Sequence, residues 1–265
     1  MKLANAAFAV GLAAAAGGCS SQPSPEQLQE TLVNHPQILY AVIQKHPAEF
    51  LDVLNKAVTA AQEQQQSQAG EAQLRRRDEE LRHPKQPVVT AARAVRGNRA
   101  APVTIVEYTD FQCPYCRQEE AVLRQVVGRY EGKVRLVIKQ TPLVDIHPQA
   151  LPAARMFEAI AMQSPEKAWQ FHDLLFANQD RLQEGGPAFL EAAARSVGAD
   201  VPRALADAQG PAVAAIIRED QAEAKRFGFS GTPGILINGV SFDGAYPEGE
   251  LAKVIDRQLA AMGKA

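Results

Sequence analysis

Apolar and polar residues change period several times along this chain. Met1-Lys2 leads into an alanine-rich apolar run, Ala4 to Ala16. Beyond it, apolar positions recur at helical spacing in three short segments. The first opens with Ser24-Pro25-Glu26-Gln27, a Ser-to-Gln capping-box pattern that starts a helix. The other two echo each other, His35-Pro36 through Lys45 and His46-Pro47 through Lys56, each with Pro where a first helical turn tolerates it. Their apolar stripes have no partner of similar size, so they are expected to pack on the main domain or on another subunit. Residues 60–82 are polar and helix-prone, without the heptads of a long coiled coil. Residues 83–101, with Pro84, Pro87 and Gly97 among basic residues, read as a linker. The expected arm therefore covers residues 19–82.

From residue 102 the pattern becomes that of a mixed domain. Val103 to Tyr108 reads as a strand, and Ala121, Val122, Val126 and Val127 mark the helix that follows. Val134 to Lys139 is a second strand. A largely helical stretch of about 147–227 is punctuated at Ser164-Pro165, Gly185-Gly186-Pro187, Gly198 and Gly210-Pro211. Gly234 to Ile237 then turns through Asn238-Gly239, a strong hairpin signal, into Val240 to Phe242. Pro247 to Ala261 closes as a helix. The order β-α-β, helices, β-β-α predicts an α/β thioredoxin fold with an inserted helical subdomain, over residues 102–265, preceded by the helical arm.

Composition narrows the setting. The chain has 265 residues, 46% of them hydrophobic, and a formal net charge of -2, which gives no reason to expect a nucleic-acid partner. No apolar run reaches the ~18 residues of a membrane span. Residues 1–18 have the shape of a secretory signal. Gly17-Gly18-Cys19-Ser20 resembles a bacterial lipobox, with Ala16 where Leu is usual. Lipidation of Cys19, and with it an outer-membrane anchor facing the periplasm, is the expectation; an unlipidated signal is the alternative. Export would place the remaining cysteines where disulfides persist.

Those cysteines carry the chemistry. Cys113-Pro114-Tyr115-Cys116 lies at the junction of the first strand and its helix. The first sulfur then sits at a helix N-terminus, where free N–H groups and the helix dipole favour thiolate, and the second lies one turn on, within disulfide reach. A closed zinc site needs four ligands, and only Cys19 and the scattered His35, His46, His83, His147 and His172 remain, so no metal is expected. Binding of Cu(I) by the two thiols, and a purely structural disulfide, are the weaker readings.

Val106 through Cys116, Phe229 through Gly239, and His147 to Ala150 with Trp169 to Phe176 together resemble the DsbA-like thiol:disulfide oxidoreductases over about residues 100–262. The arm and lipobox are similar to lipoprotein members of ScsC-like type, which use such arms to oligomerise. The resemblance implies Cys113 as attacking and Cys116 as resolving cysteine, with Pro114 and Tyr115 tuning their balance. It implies a cis-proline at Pro233, with the Thr232 backbone presented to an extended substrate. Glu107 matches a buried acid beneath the site, and Lys139 is read as its partner and as a proton shuttle for Cys116. It further implies no cofactor beyond the Cys113–Cys116 disulfide, protein substrates bearing thiols or disulfides, a membrane redox partner, and assembly of copies through the arm. A lipid-anchored holdase with a dispensable disulfide is the competing function.

Overall fold

In the computed structural model, which describes residues 23–263, the changes of period become helices and strands in the expected order. The signal segment and the lipidation expected at Cys19 lie outside the described residues. The arm supplies α1 (Pro25–Asn34), α2 (Pro36–Lys45) and α3 (Pro47–Arg82). The Ser24 hydroxyl accepts the Gln27 N–H, and Gln27 Oε1 accepts the Ser24 N–H at 3.0 Å, closing the capping box.

The body follows: β1 (Arg96–Gly97), β2 (Val103–Thr109), α4 (Pro114–Arg129), β3 (Val134–Gln140), α5 (Ala150–Ala161), α6 (Pro165–Ala177), α7 (Gln179–Ser196), α8 (Val201–Ala208), α9 (Pro211–Arg226), β4 (Gly234–Ile237), β5 (Val240–Asp243) and α10 (Glu248–Met262). The sheet runs β1-β3-β2-β4-β5, with β2 and β3 parallel and the other neighbours antiparallel. β2 is covered on both faces, and so reads as an almost unbroken buried run rather than an alternating one. Its Val103 and Ile105 pack with Leu123 and Val126 of α4 and Leu251 and Ile255 of α10, while Val106 and Tyr108 meet Ala224 of α9 and Phe229 on the other side. At the β4–β5 turn Asn238 and Gly239 both have positive φ (44° and 89°), as a two-residue hairpin requires. A Cβ on Gly239 would lie 2.2 Å from the Lys85 carbonyl oxygen, so this turn also needs glycine for close approach. Within α7 the Gly185-Gly186-Pro187 signal marks where two helical segments meet across a kink, Gly186 having non-helical backbone (φ 49°, ψ -131°).

The stretch 83–101 is not a linker. Its backbone and cations are fastened to the body in turn. The Lys85 N–H donates to Gly239 O at 3.1 Å and the Val88 N–H to Glu223 at 2.9 Å. Arg93 pairs with Asp220 and Glu158, Arg96 with Glu120 and Asp173, and β1 adds an edge to β3. These basic residues find carboxylates supplied from elsewhere in the chain, of which Glu120, Glu158 and Asp220 are buried.

The boundary of the arm also moves. The chain divides into two units at Ala69–Gly70, not at 82. In the second unit, Arg77 lies 3.9 Å over the Phe242 ring, and Glu80 accepts the Ser241 N–H at 2.6 Å and pairs with Lys85. The hydrophobic period misses these contacts because they are made by charged residues. In the first unit α1 and α2 bury no residue, and Ile38, Leu39, Tyr40, Phe50 and Leu51 are exposed.

Candidate active site

Local chemistry positions the two sulfurs. Cys113 is the N-cap of α4, with extended backbone (φ -68°, ψ 122°), and Pro114 occupies the first helical turn, where its missing N–H costs nothing. Cys113 is 4% exposed and Cys116 fully buried, and both are free thiols. Tyr115 between them is 61% exposed.

The two thiols are driven apart in acidity. Cys113 is pulled down to about 5, first by a hydrogen bond from the Cys116 thiol and then by donors from Thr232 and the N–H groups of Cys116 and Tyr115, which together outweigh burial. Burial, followed by the Cys113 sulfur, pushes Cys116 well up. At neutral pH this gives a thiolate at Cys113 and a protonated thiol at the more deeply buried Cys116.

Thr232 and Pro233 arrive from the loop before β4. Their peptide bond is cis, and the Cys113 thiol donates to the Thr232 carbonyl at 3.4 Å. When Cys113 ionises, the same residue offers its hydroxyl, a buried group with no other partner. The sequence separation of 119 positions between Cys113 and Thr232 is closed by the antiparallel pairing of β2 with β4.

The structure brings Cys113, Pro114, Tyr115, Cys116, Thr232 and Pro233 together and places Glu107 under them. It does not bring Lys139 to Glu107. Glu107 stands opposite Ile138 in the β2–β3 register and Lys139 opposite Tyr108, so alternation sends the two side chains to opposite faces of the sheet. Lys139 instead pairs with Glu223, 3.6 Å from Asp220 as well. Burial would raise Glu223, but hydrogen bonds from Lys139, Tyr108 and the Val88 N–H hold it below the usual range. Removing one member of such a buried pair typically costs about 3–5 kcal/mol. Lys139→Met is therefore expected to lower stability by that order in denaturant unfolding while leaving the acidity of Cys113, followed by thiolate absorbance, unchanged. A shifted Cys113 titration would restore Lys139 to the site.

Glu107 is left alone. It is fully buried with no cation beside it among the described residues, and burial pushes it up to about 8, against the lowering effect of the neighbouring Thr109 hydroxyl and with the help of the nearby acids Glu119 and Glu120.

Other residues hold the active-site loop that the sequence reading did not single out. Asp110 accepts the N–H groups of Gln112 (2.7 Å) and Leu143 (2.8 Å) and bonds His147 Nδ1 at 2.8 Å. Gln179 donates to the carbonyls of both Phe111 and Cys113 at 2.9 Å. Phe111 inserts into the helical subdomain, with ring centroids 5.2 Å from Phe176 and 5.8 Å from Phe157. Only Asp110, in an Asx-turn position just before the cysteines, had a local signal. The carboxylate–imidazole group Glu120, His172 and Asp173 has ligand-like spacing, but Arg96 pairs with both acids there.

Comparison with known proteins agrees with this geometry. The thioredoxin family model matches residues 90–257. A thioredoxin-like oxidoreductase from Silicibacter pomeroyi DSS-3 shares 30% identity and a TM-score of 0.58, covering 64% of this chain and 94% of that one. The thiol-disulfide exchange protein alpha-DsbA2 from Wolbachia pipientis has the same fold at 20% identity and TM-score 0.57, over 63% of this chain and 88% of its own. The Na(+)/H(+) antiporter NhaA 3 of Salinispora tropica is 43% identical over 155 residues, which is 57% of this chain but 22% of that protein. The chain thus spans about a fifth of the length of this curated relative, and no helix among the described residues is long and apolar enough to cross a membrane. The strand order, the cysteine pair facing a cis-proline and the matched family together show that the chain belongs to the thioredoxin family, as an oxidoreductase with the DsbA-like helical insertion between β3 and β4.

Proposed function

We propose that this oxidoreductase exchanges thiols and disulfides in protein substrates through Cys113 and Cys116, without a further cofactor. The observation that carries the reading is the Cys113 thiol at the N-cap of α4, bonded at 3.4 Å to the carbonyl that precedes the cis-proline. An extended substrate segment pairing with the Thr232 backbone would bring its sulfur to Cys113. In the oxidised enzyme a substrate thiolate attacks the Cys113 sulfur and releases Cys116; a second substrate thiolate then attacks the substrate sulfur of the mixed disulfide, forming the substrate disulfide and releasing the Cys113 thiolate. In the reduced enzyme the Cys113 thiolate attacks a non-native disulfide, and Cys116 resolves the adduct if it stalls.

The setting we assign is the bacterial envelope, on the strength of residues 1–18 and the lipobox-like Gly17-Gly18-Cys19, with a membrane redox partner resetting the pair. The uncovered apolar residues of α1, α2 and the start of α3 support assembly of copies through the arm. Two sites held near one another suit the reshuffling of wrong disulfides. Equilibration of the protein with glutathione buffers tests the function and its direction. A potential of about -120 mV would make it an oxidase, and ~-180 mV or below an isomerase or reductant kept reduced by its partner. A pair that never titrates would refute the redox reading and leave a holdase.

A further inference from the structure

α4 carries a second buried acid below the sulfurs. Glu119 lies three residues after Cys116 on the same buried face and is fully buried. Its Oε2 accepts the Tyr246 N–H at 2.8 Å, while its Oε1 has no partner. Glu107, on the face of β2 that α4 covers, has only the Thr109 hydroxyl near its carboxylate, and that hydroxyl also faces Cys116. Other charges around this space are already engaged. Glu120 is matched by Arg96 (3.4 Å) and Arg124 (2.6 Å), and Arg77, stacked 4.9 Å over the Tyr246 ring, lies 3.8 Å from Glu250. No cation pairs with either Glu107 or Glu119 among the described residues.

We propose that Glu119 is a positioning residue of the redox centre, forming with Glu107 a buried carboxyl pair that holds one proton beneath Cys116. The proposal rests on the Cys113–Cys116 reading above. Two nearby carboxyls without a cation resist double ionisation, so the charge goes to one of them and the proton stays on the other. Glu119 touches a surface loop through Tyr246 and, raised by burial to about 7, ionises first; its charge helps to keep Glu107, at about 8, protonated. Glu107 is the group that takes the proton when Cys116 attacks. In that step the Cys116 thiol gives its proton to the Glu107 carboxylate, its sulfur bonds to Cys113, and the substrate sulfur leaves as thiolate. Glu119 therefore sets the pH at which the acceptor becomes available.

The test is release of glutathione from the Cys113–glutathione mixed disulfide, followed against pH in the full chain. Glu119→Gln removes the like charge and is expected to move the midpoint of the profile down by about one pH unit, a gain of up to about tenfold near neutral pH that vanishes at alkaline pH. In a Glu107→Gln background the same change is expected to have no effect. An unmoved midpoint in a folded Glu119→Gln protein, or an equal shift without Glu107, would overturn the proposal. Absence of release from the unsubstituted protein at every pH would instead overturn the redox-pair reading. Carbon-13 titration of labelled glutamates in the unsubstituted protein gives an independent check. Two coupled carboxyl titrations are expected, and independent ones would count against the pair.

Discussion

Cys113→Ser is expected to reduce thiol–disulfide exchange to the uncatalysed background, whereas Cys116→Ser retains the first chemical step and accumulates mixed disulfides. The asymmetry follows from position. Cys113 is the sulfur with donors around it, at the helix terminus and beside Thr232; a serine hydroxyl there stays protonated and forms no bond to sulfur. Cys116 is fully buried, and in the proposed cycle it displaces what Cys113 has captured. In its serine variant a hydroxyl replaces the largest single stabiliser of the Cys113 thiolate, so the nucleophile survives. Non-reducing electrophoresis of each variant with a reduced or scrambled disulfide protein reads the outcome. The pH profile gives a second check. With Cys113 at about 5, its attack on a disulfide rises through acid pH and is flat at neutrality, while an ordinary thiol near ~8.5 is still rising there. If Cys113→Ser turns over normally, or Cys116→Ser traps nothing, the assignment of the two sulfurs fails.

The second large effect concerns where the catalytic unit begins. A protein shortened to start at Gly70 is expected to fold, titrate like the full chain and run as a monomer, while the full chain runs as an assembly. A protein shortened to start at His83 is expected to lose about 3–5 kcal/mol or more. The reason is Glu80, whose carboxylate takes the N–H and hydroxyl of Ser241 at 2.6 and 2.7 Å and pairs with Lys85. Without it a buried N–H and a largely buried ammonium lose their counterpart. Arg77 adds the stacking on Phe242 and Tyr246, worth roughly 0.5–2 kcal/mol. Thermal melts of the two shortened proteins decide the boundary, the loss being equivalent to roughly 10 °C for a domain of this size. Equal melting would show that the end of α3 is dispensable. Light scattering of the full chain decides the arm, and a monomeric full chain would remove the case for assembly.

The central strands, the active-site helix, the hairpin and the final helix were legible because each rests on a local pattern. Buried β-branched runs, the Asn238-Gly239 turn and the Pro114 start are readable without knowing what lies across the fold. The cysteine pair was legible for the same reason, since strand, motif and helix are contiguous. Lys139 was misplaced because its role depends on register: one position along β3 decides which face of the sheet a side chain occupies. Gln179 and Glu119 gave no signal of function because a polar residue on a helix ordinarily faces water. Only the packing of α7 on Phe111 and of α4 on β2 buries them.

By itself, then, the sequence determined the elements, their order and the place of Cys113 and Cys116 at a strand-to-helix junction, all of which depend on neighbours within a few residues. Tertiary structure decided which distant groups act on the two sulfurs. It set Thr232 against Cys113, turned Lys139 away from Glu107, made residues 83–101 part of the body, and left Glu107 and Glu119 buried without counter-charge. Those outcomes depend on sheet register and on burial, and burial gives a charge its cost only once the rest of the chain has closed around it.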